Sequence, residues 1–208
     1  CVLPPARRRA PDAPAAHRGR SRSARWRRWS RRRPGCTRRR ACPVDRAPGD
    51  DFLAQVCVAW ENAARQHAGP VATVRLGHVM APGEGILGRL EPLHRARIAG
   101  IIPPGSQQLP WIEAHDLAAQ LAHAATSSVQ GTFHGAVGNV RVDTLHRALC
   151  ARLGGFPQLK VPAIALRLRL GPFAPYLMGG QEVVPHLVPG APKPRWTELE
   201  PLLDHAYG

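Results

Sequence analysis

The sequence predicts an α/β fold ending in a run of helices and preceded by a segment unable to fold by itself. Three observations carry that expectation. Apolar stripes at helical spacing alternate with short β-rich runs between residues 51 and 153. Basic charge is confined to one end: residues 1–46 hold 16 Arg, no Lys and the acids Asp12 and Asp45, a net +14, whereas residues 47–208 hold 13 basic and 12 acidic groups, a net +1. No apolar run approaches the roughly 20 residues that a membrane-spanning helix needs, and the stretch from Val161 to Leu170 is broken by Arg167 and Arg169.

The elements follow in order from residue 47. Gly49, Asp50 and Asp51 precede a stripe of Phe52, Leu53, Val56, Ala59, Trp60, Ala63 and Ala64, so a helix is expected over about 51–66 with an Asp capping its first turn. Val71 to Leu76 is β-rich and reads as a buried strand. Gly83 and Gly85 mark a loop, Ile86 to Ala96 a helix kinked by Pro92, and the Pro- and Gly-rich stretch from Gly100 to Pro110 an irregular connection. Trp111 and Ile112 form a brief extended pair. Asp116 starts a helix with Leu117 and Leu121 on one side, and Gly131 to Val137 is a second β-like run. Asp143 caps a helix bearing Leu145, Leu149 and Leu153 that Gly154 and Gly155 end. Helices are then expected from Pro162 to Leu170, around Tyr176 to Met178, and from Thr197, where Thr197 and Glu200 make a weak capping box.

Residues 1–46 carry no aliphatic side chain larger than Ala except Val2, Leu3 and Val44, too little to offset the entropy of ordering a backbone, so disorder is expected there. Clustered Arg with Trp26 and Trp29 suits a nucleic-acid or acidic-partner arm, in which guanidiniums neutralise phosphates and indoles stack on bases. Arg without Lys, mixed with Pro, Ala, Gly and Ser, is also what a GC-rich gene yields when translated out of frame, and a gene-model artefact or an inert arm is the favoured explanation. An organelle transit peptide ranks lower because Pro4, Pro5, Pro11 and Pro14 oppose an amphipathic helix; a cytoplasmic location is the default.

Five cysteines, an odd number with no C-x-x-C pair, signal neither a disulfide framework nor a zinc module, and no metal site is expected. Cys57 and Cys150 fall in predicted helices, where a buried inert thiol is the simplest expectation. The histidines show no H-x-x-x-H pair and are expected to be scattered surface or half-buried residues. Gly83-Glu84-Gly85-Ile86-Leu87-Gly88 fits G-x-G-x-x-G, yet six residues separate it from Leu76 and it would set Glu84 beside a phosphate, so it is read as a loop.

Four ordered blocks carry a family resemblance. They are Gly49-Asp50-Asp51-Phe52-Leu53-Ala54 with Trp60-Glu61; Arg75-x-Gly77-x-Val79; Gly105-x-Gln107-x-x-Pro110-Trp111-Ile112 with Asp116-Leu117; and Gly179-Gly180-Gln181-x-Val183-Val184-Pro185. Together they resemble the epimerase-like branch of the extended short-chain dehydrogenase/reductases, from about residue 43 to the end. The resemblance implies the C-terminal part of a doubly wound, Rossmann-like fold over residues 47–157, a small mostly helical C-terminal domain over 158–208, NADP or NAD as cofactor and a sugar-nucleotide-like substrate. It also implies that Arg75, Gly105, Gln107 and Trp111 face that substrate. From the residues alone, Arg75 serves equally in a surface ion pair, Trp111 as a core anchor and Asp116 as a helix cap.

Two parts of the family's machinery have no counterpart among these residues. No Gly-rich turn of the type that receives a pyrophosphate precedes Gly49, and the positions where the wider superfamily carries a Tyr and a Lys hold Phe52 and Val56, or Asp51 and Gln55. The expectation is a truncated member, without a catalytic residue of its own, that does not transfer hydride alone. Near the end, Pro192 and Pro194 remove donors that an added strand would need, so weaker C-terminal packing is expected.

Overall fold

The computed structural model describes residues 41–49, 51–171 and 174–208. The expected disordered Arg-rich segment lies outside the described residues up to position 40. Beyond it, Cys42 forms a parallel bridge with Val183, its amide donating to Glu182 O at 2.7 Å, and it is disulfide-bonded. Cys57 and Cys150 are free thiols. Residues 41–46 belong to the same compact unit as residues 69–208.

A separate unit contains α1, Phe52–Arg65. Asp51 caps it, accepting from Ala54 N at 3.1 Å, as the sequence predicted. Arg65 donates to Asn62 Oδ1 and Glu61 Oε2, both at 3.0 Å, and closes the last turn. None of its residues is buried, and Cys57, expected inside, is exposed.

Among its described residues, the larger unit holds five strands in two sheets. In the first, β1 (Ala72–Leu76) runs parallel to β4 (Gly131–Gly135), with Val74 opposite Phe133. In the second, the order is β2 (His78–Ala81), β3 (Gln108–Glu113) and β5 (Gly138–Arg141), β2 parallel and β5 antiparallel to β3. One residue, Gly77, separates β1 from β2, and its N–H donates to Gly135 O at 3.0 Å. Ala136 and Val137 separate β4 from β5, and Val137 N reaches Trp111 O at 2.8 Å. The sequence missed β2 and β5, four residues each, because a run that short has no measurable period. It also shortened β3, since Pro110 counts against a strand; here Pro110 stands opposite Asn139 and the ladder continues past it.

Six helices accompany these strands among the described residues. They are α2 (Gly85–Arg95), α3 (Ala114–Thr126), α4 (Val142–Leu153), α5 (Ala163–Leu170), α6 (Ala174–Gly179) and α7 (Leu199–Tyr207). One core gathers Met80, Leu87, Trp111, Val140, Leu145, Leu149, Leu202 and Leu203 from β2, α2, β3, β5, α4 and α7. Leu149, Leu202 and Leu203 are almost wholly buried, and each contributes about 2 kcal/mol by leaving water. The final helix thus belongs to the core of the α/β body. The Thr197–Glu200 capping box does not form; Glu198 is the N-cap, without a side-chain hydrogen bond.

Polar side chains of the α/β body hold the strap that leads to α7. Asn139 acts as a strand partner for Val183, donating to its carbonyl at 2.8 Å and accepting from its amide at 2.9 Å. His134 N donates to His186 O at 2.8 Å, and its ring Nδ1 lies 2.8 Å from Val184 O. Gln120 accepts from Val188 N at 3.0 Å and donates to Pro192 O at 2.9 Å. Side chains of the α/β body thus take the place of ladder partners for this segment. Asp116 belongs to this set. It does not cap α3, which begins at Ala114 under Glu113, whose carboxylate accepts from the amides of His115 at 2.7 Å and Asp116 at 3.0 Å.

Candidate functional site

The site implied by the sequence centres on the loop between α2 and β3. Ile101 opens it by pairing with Lys160, its amide donating to Leu159 O at 2.7 Å while Val161 N donates to Ile101 O at 3.0 Å. The Pro103–Pro104 peptide is cis and Gly105 has φ +85°, which a Cβ would strain; that atom would also lie 2.9 Å from Ile101 Cγ2. The loop then meets α4 end-on. Asp143 N donates to Gly105 O at 2.9 Å and Val142 N to Gln107 O at 3.1 Å, so loop carbonyls satisfy two of the helix's free amides.

This arrangement corrects the role expected of Asp143. The N-cap is Arg141, without a side-chain cap, and the Asp143 carboxylate instead receives the Arg141 guanidinium at 2.9 and 2.6 Å, with Arg147 at 3.7 Å. The Arg141 hydrogen bonds, with the positive charges of Arg141 and Arg147, hold the Asp143 carboxyl below its usual value although burial opposes them. An ion cluster therefore abuts the loop at Gly105.

Gln107 is the residue of most interest in the loop. Its side chain is 5% exposed, Nε2 donates to Ile102 O at 3.1 Å, and Oε1 is buried with no hydrogen-bond partner. A buried amide oxygen left unpaired costs about 1–3 kcal/mol, so it calls for a donor that the described residues do not supply. Gly180 closes the other side. It has φ +65°, and a Cβ there would stand 2.6 Å from Gln107 Cβ and 2.8 Å from Gln108 O, while Gln181 N donates to Gln108 O at 3.0 Å.

The other two implied residues lie elsewhere. Trp111 sits on β3 opposite His78 and Gly138 and is 2% exposed within the hydrophobic core, the core-anchor alternative. Arg75 is on β1, in the other sheet, where Nη1 donates to Val44 O at 2.9 Å. The structure thus joins Gly105 and Gln107 and adds Gly180 and Asp143, which the sequence did not mark as site residues. Gly180 lies within a quoted block, but nothing local shows that it touches a residue 73 positions earlier.

The G-x-G-x-x-G match is a turn. Met80 bridges Gly85 and Ala81 bridges Glu84, so the chain doubles back on β2 before entering α2, and a Cβ at Gly88 would collide with the Gly83 carbonyl. Glu84 is the N-cap of α2 and would oppose a phosphate at that helix end.

No protein-family model matches the chain. An Arabidopsis thaliana protein, the chloroplastic homolog of epimerase family protein SDR39U1, is 33% identical over 141 residues, 66% of this chain and 41% of its own length. Epimerase family protein SDR39U1 of Bos taurus is 35% identical over 148 residues, 68% of this chain and 50% of its own. The crystal structure of human epimerase family protein SDR39U1 (isoform 2) with NADPH superposes with a TM-score of 0.72 at 26% identity, over 83% of this chain and 61% of that one. The chain belongs to the epimerase-like branch of the extended short-chain dehydrogenase/reductases. Its α/β body is accordingly Rossmann-like. As an epimerase-family chain it spans about half the length of the curated relatives it matches.

Proposed function

We propose that the α/β body serves the substrate side of an NAD(P)-dependent epimerase or reductase, with a sugar-nucleotide-like ligand held at the 101–107 loop. The observation that carries this reading is the buried, unpaired Gln107 Oε1 between Gly105 and Gly180. A sugar hydroxyl is a donor of the right kind for that acceptor. Trp111 acts from behind, fixing β3 in the core.

NADPH is bound by the human relative. The described residues of this chain do not fit a dinucleotide pyrophosphate: their G-x-G-x-x-G segment is consumed by its own turn, with Glu84 at the helix start. The 208 residues are therefore proposed to bind no dinucleotide unaided and to move no hydride alone.

Calorimetric titration tests both parts. UDP-glucose is expected to bind the 208-residue chain and to lose at least tenfold in affinity in Gln107→Leu, which removes the acceptor while keeping the volume. NADPH titrated alone is expected to give no saturable heat. Unchanged UDP-glucose affinity in Gln107→Leu, or no UDP-glucose binding to a folded chain, overturns the substrate reading; micromolar NADPH binding overturns the cofactor reading.

A further inference from the structure

The sequence left the histidines scattered and Cys150 inert, but the fold brings three of these residues together. His94 in the last turn of α2 meets His146 and Cys150, four residues apart on one face of α4. They are 1%, 5% and 7% exposed, and one ligand atom from each lies within 4.8 Å of the others. The two rings stand 5.0 Å apart, centre to centre, and tilted by 46°.

Hydrogen-bond parity makes this more than a cluster. His94 Nδ1 lies 2.8 Å from Leu90 O, and His146 Nε2 lies 3.2 Å from Phe156 O. A carbonyl oxygen only accepts, so each outward nitrogen that bonds to one carries the hydrogen. The inward nitrogens, His94 Nε2 and His146 Nδ1, are then two lone pairs facing each other at 3.1 Å. Something positive belongs between them. Two nitrogens on a tetrahedral zinc ion stand about 3.3 Å apart, each about 2.0 Å from the metal, and metal-bound histidines hold their other N–H on a carbonyl in this manner.

We propose that His94 Nε2, His146 Nδ1 and Cys150 Sγ form a buried site for a zinc-class divalent transition-metal ion that clamps α2 to α4. Two imidazoles and one sulfur suit zinc or cobalt and disfavour calcium or magnesium, which take oxygen. Cys150 binds as the thiolate, so its proton leaves to solvent as the ion enters. The sulfur now lies 3.5 Å from His146 Nε2, and a change of its rotamer is needed for it to join the inward nitrogens. The site is independent of the 101–107 loop. Its sequence signal is His146-x-x-x-Cys150 on one helix; the third ligand comes from 52 residues away.

Cobalt reports both occupancy and ligand type. The full chain, reduced and stripped of metal, is titrated with Co²⁺. The expected result is one equivalent bound with tetrahedral visible absorption and a sulfur-to-cobalt charge-transfer band, both displaced by Zn²⁺, lost in Cys150→Ser and retained in Cys57→Ser. In parallel, Zn²⁺ is expected to raise the melting temperature of the parent chain and not that of His94→Gln or Cys150→Ser. No band in a folded parent chain overturns the proposal and leaves a shared proton between the imidazoles. A band that survives Cys150→Ser assigns the metal to other cysteines and overturns it equally. If either ligand variant fails to fold, the parent chain decides: no melting shift with Zn²⁺ rejects the site.

Discussion

Asp116 accepts hydrogen bonds from the backbone amides of Arg195, at 2.9 Å, and Trp196, at 3.1 Å, across 79 and 80 positions of sequence. One carboxylate on α3 thereby fixes the approach of the strap to α7, whose Leu202 and Leu203 fill the core. Asp116→Ala leaves two amides without this acceptor, and a destabilisation of about 2–4 kcal/mol is expected from charge-assisted bonds of this kind. Asp116→Asn keeps one acceptor oxygen and should lose roughly half as much. Urea unfolding midpoints of the three proteins check the order.

Asn139 supports the same strap by imitating a strand, with one bond in each direction to Val183. Replacing it by Leu retains volume and leaves the Val183 N–H and C=O without these partners. A loss of about 2 kcal/mol is expected, with faster amide hydrogen exchange at Val183 than in the parent chain. Unaltered protection at Val183 would mean that the amide pairing does not hold the strap.

Gly180→Ala tests how tightly the strap closes on the 101–107 loop. Positive φ alone costs an Ala about 1 kcal/mol, and the new methyl would stand 2.6 Å from Gln107 Cβ and 2.8 Å from Gln108 O. The expected outcome is destabilisation by about 2 kcal/mol or more together with weaker UDP-glucose binding. Gly179→Ala, which meets no atom within 4 Å, serves as the neutral control.

Glu113 gives the fold a defined acid response. Burial pushes its carboxyl up, but hydrogen bonds from the His115 ring and from the amides of Asp116 and His115 outweigh that and hold it below the ordinary value. A carboxylate with a lowered folded value binds protons less readily than in the unfolded chain. Its contribution is therefore present above the ordinary carboxylate range and is lost as pH falls through the lowered value. Glu113→Gln should flatten the stability profile on the acid side, measured by thermal melting between pH 7 and about pH 3.

Local chemistry made a large part of this molecule legible. Asp51 before an apolar stripe announced α1, Gly154 announced the end of α4, and Val71 to Leu76 announced β1, because each signal lies within a few residues of the structure it specifies. The ordered blocks around Arg75, Gly105, Gln107 and Gly180 likewise identified the family before any coordinate. Short strands escaped: β2 and β5 carry too few residues to show a period, and they exist because β3 offers them partners. Polar partners escaped for a similar reason. A carboxylate ahead of a helix reads as its cap, and only the folded chain shows that Glu113 takes that role while Asp116 turns to Arg195. His94, His146 and Cys150 read as three unrelated residues along the chain, and the packing of α2 against α4 makes them neighbours. Side-chain type and spacing constrain what each segment can form; which distant group satisfies a buried donor, acceptor or lone pair is decided when the elements pack.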